Sequence, residues 1–361
     1  MAFCPLYNKI IHEIFMNSNR SIRRISSMVG KKLIAAAAVI IALGAAGCES
    51  KEEVISSGIN QNEDVISIGI NQFVVHEALD ASRQGFLDVL KENGYIEGEN
   101  IEIDYKNAQG EQPTALTIAQ DFTNRKKDLI FAIATQSAQA SYNATKEIPI
   151  VITAVTDPVD AGIAESFESS GTNVTGTSDG VPIGPQLDIL KKVLPEAKTI
   201  GVIYNTSEAN SIYQVNELKV EAEKQGFTLK EVGITNLNDV NAVLPSALEG
   251  IDVLYAPTDN TVASAYAIII KLATEKNVPV FCAEDAGVNV GGLISAGLDY
   301  YELGRETGLI AIEVMEGKKP SDLPISKMKN PVIVVNEDTA EKLGITIPSD
   351  ILAGARLVGG K

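Results

Sequence analysis

The chain has 361 residues, enough for about two domains of ordinary size, with 45% hydrophobic and 21% charged residues. A formal net charge of −17 argues against nucleic acid as a partner and against a basic face laid on anionic lipid. Two histidines, His12 and His76, no tryptophan and three scattered cysteines, Cys4, Cys48 and Cys282, give no support to a metal site, a histidine-based triad or a disulfide framework.

The first segment with a clear pattern is secretory. Lys31-Lys32 precede the apolar stretch Leu33–Ala46 and then Gly47-Cys48, which is a basic n-region, an apolar h-region and a small-residue cleavage site. The apolar stretch is shorter than the ~20 residues a spanning helix requires. Leu43-Gly44-Ala45-Ala46-Gly47-Cys48 resembles a bacterial lipobox, with Ala45 standing where leucine is commoner. Cys48 is therefore expected to be acylated and to hold the mature chain to a lipid bilayer. Residues 28–47 are then the signal peptide. Residues 1–27, ahead of Met28, read as a misassigned start, with a long n-region as the alternative. Residues 48–64 are rich in Ser, Gly, Asn and Glu, lack periodicity and read as a flexible tether.

From Val65 onward strand and helix patterns alternate. Val65–Ile70 reads as a strand. Glu77–Asn93 has helical apolar spacing at Leu79, Phe86, Leu87 and Leu90 and is closed by Gly94. Asn100–Tyr105, Thr114–Arg125, Asp128–Ile133, Ser137–Thr145 and Ile148–Ile152 continue the alternation. A second series begins near Gly176 and runs through Gln186–Leu194, Thr199–Tyr204, Ser207–Gln225, Thr228–Gly233, Leu237–Leu248, Ile251–Tyr255, Asn260–Lys276 and Pro279–Cys282. Tyr300–Gly317 is a further helix, Val332–Val335 a late strand and Glu337–Leu343 a short helix. This pattern predicts an α/β protein of two doubly wound parallel-sheet lobes joined by a hinge. Residues 65–175 with 298–330 form the first lobe, and 176–297 with 331–361 the second. Ser170–Gly180 and Leu293–Asp299 are the expected crossovers. Two such lobes close around a ligand held in the cleft between them.

The apolar runs end, one after another, in polar clusters. In open parallel sheets ligands bind outside the carboxyl ends of the strands. The candidate ligand contacts are accordingly Gln72; Thr135, Gln136 and Ser137; Thr153 and Thr156; Ser178; Asn205, Asn210 and Ser211; Thr258, Asp259 and Asn260; Glu284; and Asp299 with Tyr300. Helix capping is the competing explanation for Thr135–Ser137 and Asp259. A turn followed by a cap competes for Asn205. Phe73, Tyr204, Tyr255, Phe281 and Tyr300 can stack on a ligand or fill a core. With no GxSxG, HExxH, P-loop or GxGxxG, the chain is expected to hold a small polar molecule without transforming it, and to need no cofactor.

Several stretches match one family in the same order. They are Ile68-Gly69-Ile70 with His76–Asp80 and Arg83–Phe86, then Ala134–Ala140, Thr156–Val159, Asn173–Asp179, Pro257–Asn260 and Gly297–Tyr300. Over Val65–Leu352 the chain resembles the substrate-binding lipoproteins of ABC importers, in the branch that includes tryptophan-type amino-acid binders. The resemblance implies a type I periplasmic-binding-protein fold outside the cytoplasm and delivery of a small solute to a membrane permease with its ATPase. It also implies a ligand that is an amino acid, aromatic or large and apolar. For such a zwitterion the N-terminal turn at Thr135-Gln136-Ser137 would offer donors to the carboxylate, and Asp259 is expected to pair with the ammonium. A lipid-anchored sensor that presents its closed form to a signalling partner is the alternative on the same fold.

Overall fold

The computed structural model describes residues 65–328 and 331–360. The signal region, Cys48 and the tether lie outside the described residues.

The first sheet contains β1 (Ile66–Gln72), β2 (Ile101–Asn107), β3 (Leu129–Ile133), β4 (Ile150–Val155) and β5 (Val174–Ser178). The second contains β6 (Thr199–Asn205), β7 (Thr228–Ile234), β8 (Val253–Ala256), β9 (Val280–Cys282) and β10 (Ile294–Gly297). The chain then adds β11 (Ile325–Lys327) to the first sheet and β12 (Val332–Asn336) and β13 (Arg356–Val358) to the second. The strand orders are β11-β5-β4-β3-β1-β2 and β13-β12-β10-β9-β8-β6-β7. All pairs are parallel except β10 with β12. The central strands β3 and β4 are buried along their whole length, as unbroken apolar runs must be when helices cover both faces.

The helices of the first lobe are α1 (Glu77–Glu92), α2 (Gln112–Asn124) and α3 (Thr135–Ala144). Those of the second are α4 (Ile183–Val193), α5 (Ala209–Lys224), α6 (Leu237–Ala247), α7 (Asn260–Ser264), α8 (Tyr266–Glu275) and α9 (Asp285–Asn289). Then α10 (Tyr300–Met315) returns to pack on α1. That packing is backbone-close. A Cβ on Gly304 would overlap the Ser82 carbonyl oxygen, and one on Gly85 would overlap the Tyr301 carbonyl oxygen. The absence of side chains at these two positions lets the returning helix seat against the first lobe.

In each sheet the first strand lies between the second and the third. The helical connections therefore leave on opposite sides next to β1/β3 and β6/β8. These are the topological switch points, where a crevice opens at the carboxyl ends.

Two expectations need correction. Val174–Ser178 pairs with β4, so a lobe boundary at 175/176 would cut a strand, and the chain leaves the first sheet only after Ser178. The expected helix Asn260–Lys276 is two helices, broken at Ala265, whose φ of −107° and ψ of 5° leave the helical range. The chain crosses between lobes between Ser178 and Ile183, between Gly297 and Tyr300, and between Lys327 and Val332.

Candidate ligand-binding site

The carboxyl ends of the two sheets face each other and are tied by direct hydrogen bonds. Gln136, in the first turn of α3, donates through Nε2 to Asn210 Oδ1 at 2.8 Å and to Glu208 Oε2 at 3.2 Å. Asn260 Nδ2 donates to Glu208 Oε2 at 2.7 Å. That fixes the orientation of the Asn260 amide, so His76 Nε2 is the donor in its 3.3 Å contact with Asn260 Oδ1. Burial holds the His76 imidazole below its ordinary pKa, which agrees with a neutral ring. At the rim Asn289 Nδ2 donates to Glu77 Oε1 at 2.8 Å. The lobes are thus closed on one another. A cavity of about 500 Å³ spans them, with Phe73 and Gln109–Pro113 on one side and Asn205, Glu208, Asn236 and Asn260 on the other.

Glu208 anchors this seam, and the sequence reading did not single it out. Its Oε1 accepts from Thr261 N at 3.0 Å and Thr261 Oγ1 at 2.8 Å, and its Oε2 also accepts from Asn260 N at 3.1 Å. It therefore caps α7 from the turn after β6 while holding Gln136 from the other lobe.

Asp259, expected to meet a ligand's ammonium, is engaged elsewhere. Oδ1 accepts from Val262 N at 2.8 Å as the N-cap of α7, and Oδ2 accepts from Asn205 N at 2.6 Å. Complete burial and the neighbouring Glu208 push its pKa up to about 7, although these backbone donors pull the other way. Several other candidates are likewise committed to the framework. Gln72 bonds Val74 O, Asp80 and Arg83. Ser137 donates to Asn71. Thr153, Thr177 and Thr307 form a hydroxyl chain inside the first lobe. Ser178 donates to Thr156 O. Thr258 pairs with Gln214, Ser211 accepts from Asn210, and Asp299 caps α10. Asn205 is tied to Thr261 and to Ser207 N. Among the aromatics, Tyr255 and Phe281 stack on each other in the core, and Tyr204 bonds Glu231.

A second set of residues is buried but not satisfied. Thr135 Oγ1, Thr156 Oγ1, Asp179 Oδ1, Tyr266 OH and Glu284 Oε2 are buried without a hydrogen-bond partner. Such atoms are uncommon in folded proteins, and each requires an explanation. Asp179, which sequence reasoning missed, is 3% exposed and Glu284 is 2% exposed. Tyr300 OH donates to Asp179 Oδ2 at 2.9 Å, and the Thr156 hydroxyl lies beside the same carboxylate. Burial raises the pKa of Asp179, and burial with Asp179 close by raises that of Glu284 well above the ordinary range. Two carboxylates, one from the first crossover and one from the end of β9, therefore share a desolvated pole.

The opposite chemistry gathers at β3 and β4. Ala134 (φ 80°) and Ala154 (φ 54°) are held in the left-handed region that disfavours side chains. Strain of this kind collects at binding sites. Ala134 opens α3 without any side-chain cap, so the first N–H groups of that helix meet no capping oxygen. The free Thr135 hydroxyl stands at the same point, one strand away from Thr156. A helix start of this kind attracts anions. The buried, unpartnered groups thus divide into donors at the start of α3 and an acceptor pair at Asp179 and Glu284, and neither set lines the 500 Å³ cavity.

The sequence profile of a family described as ABC transporter substrate binding protein matches residues 67–358. The chain belongs to this family. It is 47% identical over 272 residues to a tyrosine-binding protein of Clostridioides difficile, covering 75% of this chain and 79% of that one. An ABC domain from Streptococcus pneumoniae solved in complex with L-Trp is 35% identical with a TM-score of 0.79, covering 81% of this chain and 99% of that one. A ligand-free, open substrate-binding protein with adhesive properties from Clostridium difficile is 50% identical with a TM-score of 0.65, covering 82% of this chain and all of that one. In overall shape the chain is nearer to the ligand-bound relative, although in sequence it is nearer to the open one. The hydrogen bonds across the seam account for this, since they exist only when the lobes are shut. The fold is the two-lobed type I periplasmic-binding-protein architecture, and proteins of this family work outside the cytoplasm.

Asp259→Ala should act on stability. Loss of an N-cap costs about 0.5–2 kcal/mol, and in a domain of this size each kcal/mol lowers the melting temperature by about 2–4 °C. Calorimetric titration of the same variant should find ligand affinity nearly intact. A loss of roughly tenfold or more, about 1.4 kcal/mol, at unchanged melting temperature would return Asp259 to the ligand.

Proposed function

We propose that this protein is the lipid-anchored receptor of an ABC importer and captures a free aromatic amino acid, tyrosine or tryptophan, by closing its two lobes around it. The observation that carries the reading is the set of buried, unpartnered polar atoms in a crevice that is already shut. A free amino acid supplies what both sets lack. Its carboxylate answers the uncapped start of α3 and the Thr135 hydroxyl, and its ammonium answers Asp179 and Glu284, with the Thr156, Tyr266 and Tyr300 hydroxyls alongside. Gln136, Asn210 and Asn260 close the seam over it rather than recognise it. Tyrosine and tryptophan are favoured because a 47% identical relative is a tyrosine-binding protein and a 35% identical relative was solved in complex with L-Trp. The permease with its ATPase would accept the closed form. Acylated Cys48, carried on the 48–64 tether, would keep the receptor at the membrane.

Titration calorimetry with L-tyrosine and L-tryptophan tests the reading. One or both should bind, and a screen in which only sugars or nucleosides bind would overturn it. Asp179→Asn keeps an acceptor for Tyr300 but removes the charge. It should weaken binding by about thirty-fold or more, since breaking one buried charge pair costs about 2–5 kcal/mol.

Anchoring has its own test. Two acyl chains hold a protein stably where one does not, so the mature protein should sediment with membranes. Cys48→Ala should be released to the soluble fraction or stay unprocessed. Mass spectrometry that finds an unmodified mature N-terminus beyond Cys48 would contradict the assignment.

A further inference from the structure

We propose that ligand capture is proton-linked: as the lobes close, Glu284 takes up one proton while the ligand's ammonium neutralises Asp179. The inference rests on the amino-acid reading of the site and goes beyond it to how the site discriminates.

Glu284 Oε2 and Asp179 Oδ1 are each buried without a partner. Facing Glu284 are Asp179 from the first crossover, Asp259 before α7, Glu208 before α5 and its neighbour Asp285. Tyr266 and Tyr300 approach it from α8 and α10, and Cys282 ends the strand β9 that precedes it. Asp285 is itself ion-paired with Arg356 of β13, and none of the groups facing Glu284 is a cation. Backbone N–H groups hold Glu208 and Asp259 in the frame, and Asp259, whose pKa burial and Glu208 push up to about 7, is the other acid that can bind a proton near neutrality, which the Glu284→Gln variant separates from Glu284. Asp179 has the Tyr300 hydroxyl. Glu284 Oε2 has neither.

An amino acid delivers one ammonium and one carboxylate. The carboxylate belongs with the donors at the start of α3. The ammonium cancels one of the two acids, and Asp179, hydrogen-bonded by Tyr300, is the better placed to stay ionised. A second bare carboxylate in the same desolvated pole is strongly disfavoured. A proton removes that cost. It also gives a donor to a pole otherwise made largely of acceptors. The balance is simple. Open protein with both acids ionised, plus zwitterion, plus one proton, gives closed protein with an ammonium–Asp179 pair and a neutral Glu284.

The sign follows. Water keeps a carboxylate in its ordinary range, whereas burial in the shut crevice raises the pKa of Glu284 well above that range. Between those two limits binding takes up a proton, so affinity rises as pH falls. Each pH unit upward weakens apparent binding by up to about tenfold. Below the open-state value and above the closed-state value the dependence vanishes. An aromatic acid without an ammonium would have to bring two protons with it, so the site should reject it.

The experiment is calorimetric titration of the intact mature domain with L-tyrosine at neutral pH, in two buffers of different ionisation enthalpy. The buffer dependence of the observed heat reads the number of protons exchanged. About one proton taken up per tyrosine is expected, together with an apparent Kd that climbs with pH. Glu284→Gln, a permanently neutral mimic of the protonated acid, should abolish both the uptake and the pH slope. Tyrosine binding with no proton exchange, or with proton release, overturns the inference alone. The same uptake in Glu284→Gln, or a variant that binds at no pH, overturns it as well. If neither L-tyrosine nor L-tryptophan binds the unaltered protein, the amino-acid reading fails and takes the inference with it.

Discussion

Closing this protein buries carboxylates that no cation of its own neutralises. Asp179, Glu208, Asp259 and Glu284 all retreat from water in one crevice, and among the described residues none of them forms an ion pair with lysine or arginine. Burying a charge without a partner is among the costliest things a fold can do. The four acids meet that cost in two ways. Glu208 and Asp259 accept backbone N–H groups at the start of α7 and around β6, and so become part of the frame. Asp179 and Glu284 each keep an oxygen unanswered. The closed state is therefore built as an incomplete structure, which the ammonium of the proposed ligand would complete.

Topology explains why the incomplete part lies where it does. Asp179 directly follows β5, on the first crossing between lobes, and Tyr300 opens α10 just after the second. Gly297 at that second crossing lies so close to the link between β9 and Glu284 that a Cβ would overlap the Ala283 carbonyl oxygen. The acid pole is thus set against the connections that must flex, while Gln136, Asn210, Asn260 and His76 tie the two sheet ends together. A ligand at such a place touches both lobes, which is the condition for its binding energy to bias open against closed.

The architecture was legible because it rests on long-range periodicity. Buried parallel strands are continuous apolar runs, and Leu129–Ile133 and Ile150–Val155 can hardly be anything else. The boundary near Gly176 was not legible. Val-Thr-Gly-Thr-Ser carries the small, polar residues of a linker, yet it is buried by pairing with β4. The site was only half legible for a similar reason. Every strand end is polar, and sequence cannot tell a hydroxyl that caps a helix from one that waits for a ligand. Asp259 and Thr135 both stand at the turn from strand to helix. Asp259 finds Val262 N and Asn205 N, whereas the Thr135 hydroxyl finds nothing. Asp179 directly follows Val174–Ser178, and only the pairing of that stretch with β4 marks it as a residue at a strand's carboxyl end. Glu208 gave no sign either, because its role depends on α7 and α3, which only the fold brings to it.

The central claim is that the shut crevice needs a ligand to be stable. Small-angle scattering of the mature domain, first alone and then saturated with L-tyrosine or L-tryptophan, measures this directly. The account predicts a larger radius of gyration for the free protein and a contraction on saturation, as the carboxylates are released to water in one state and neutralised in the other. A free protein already as compact as the saturated one, with ligand binding confirmed independently, would contradict it.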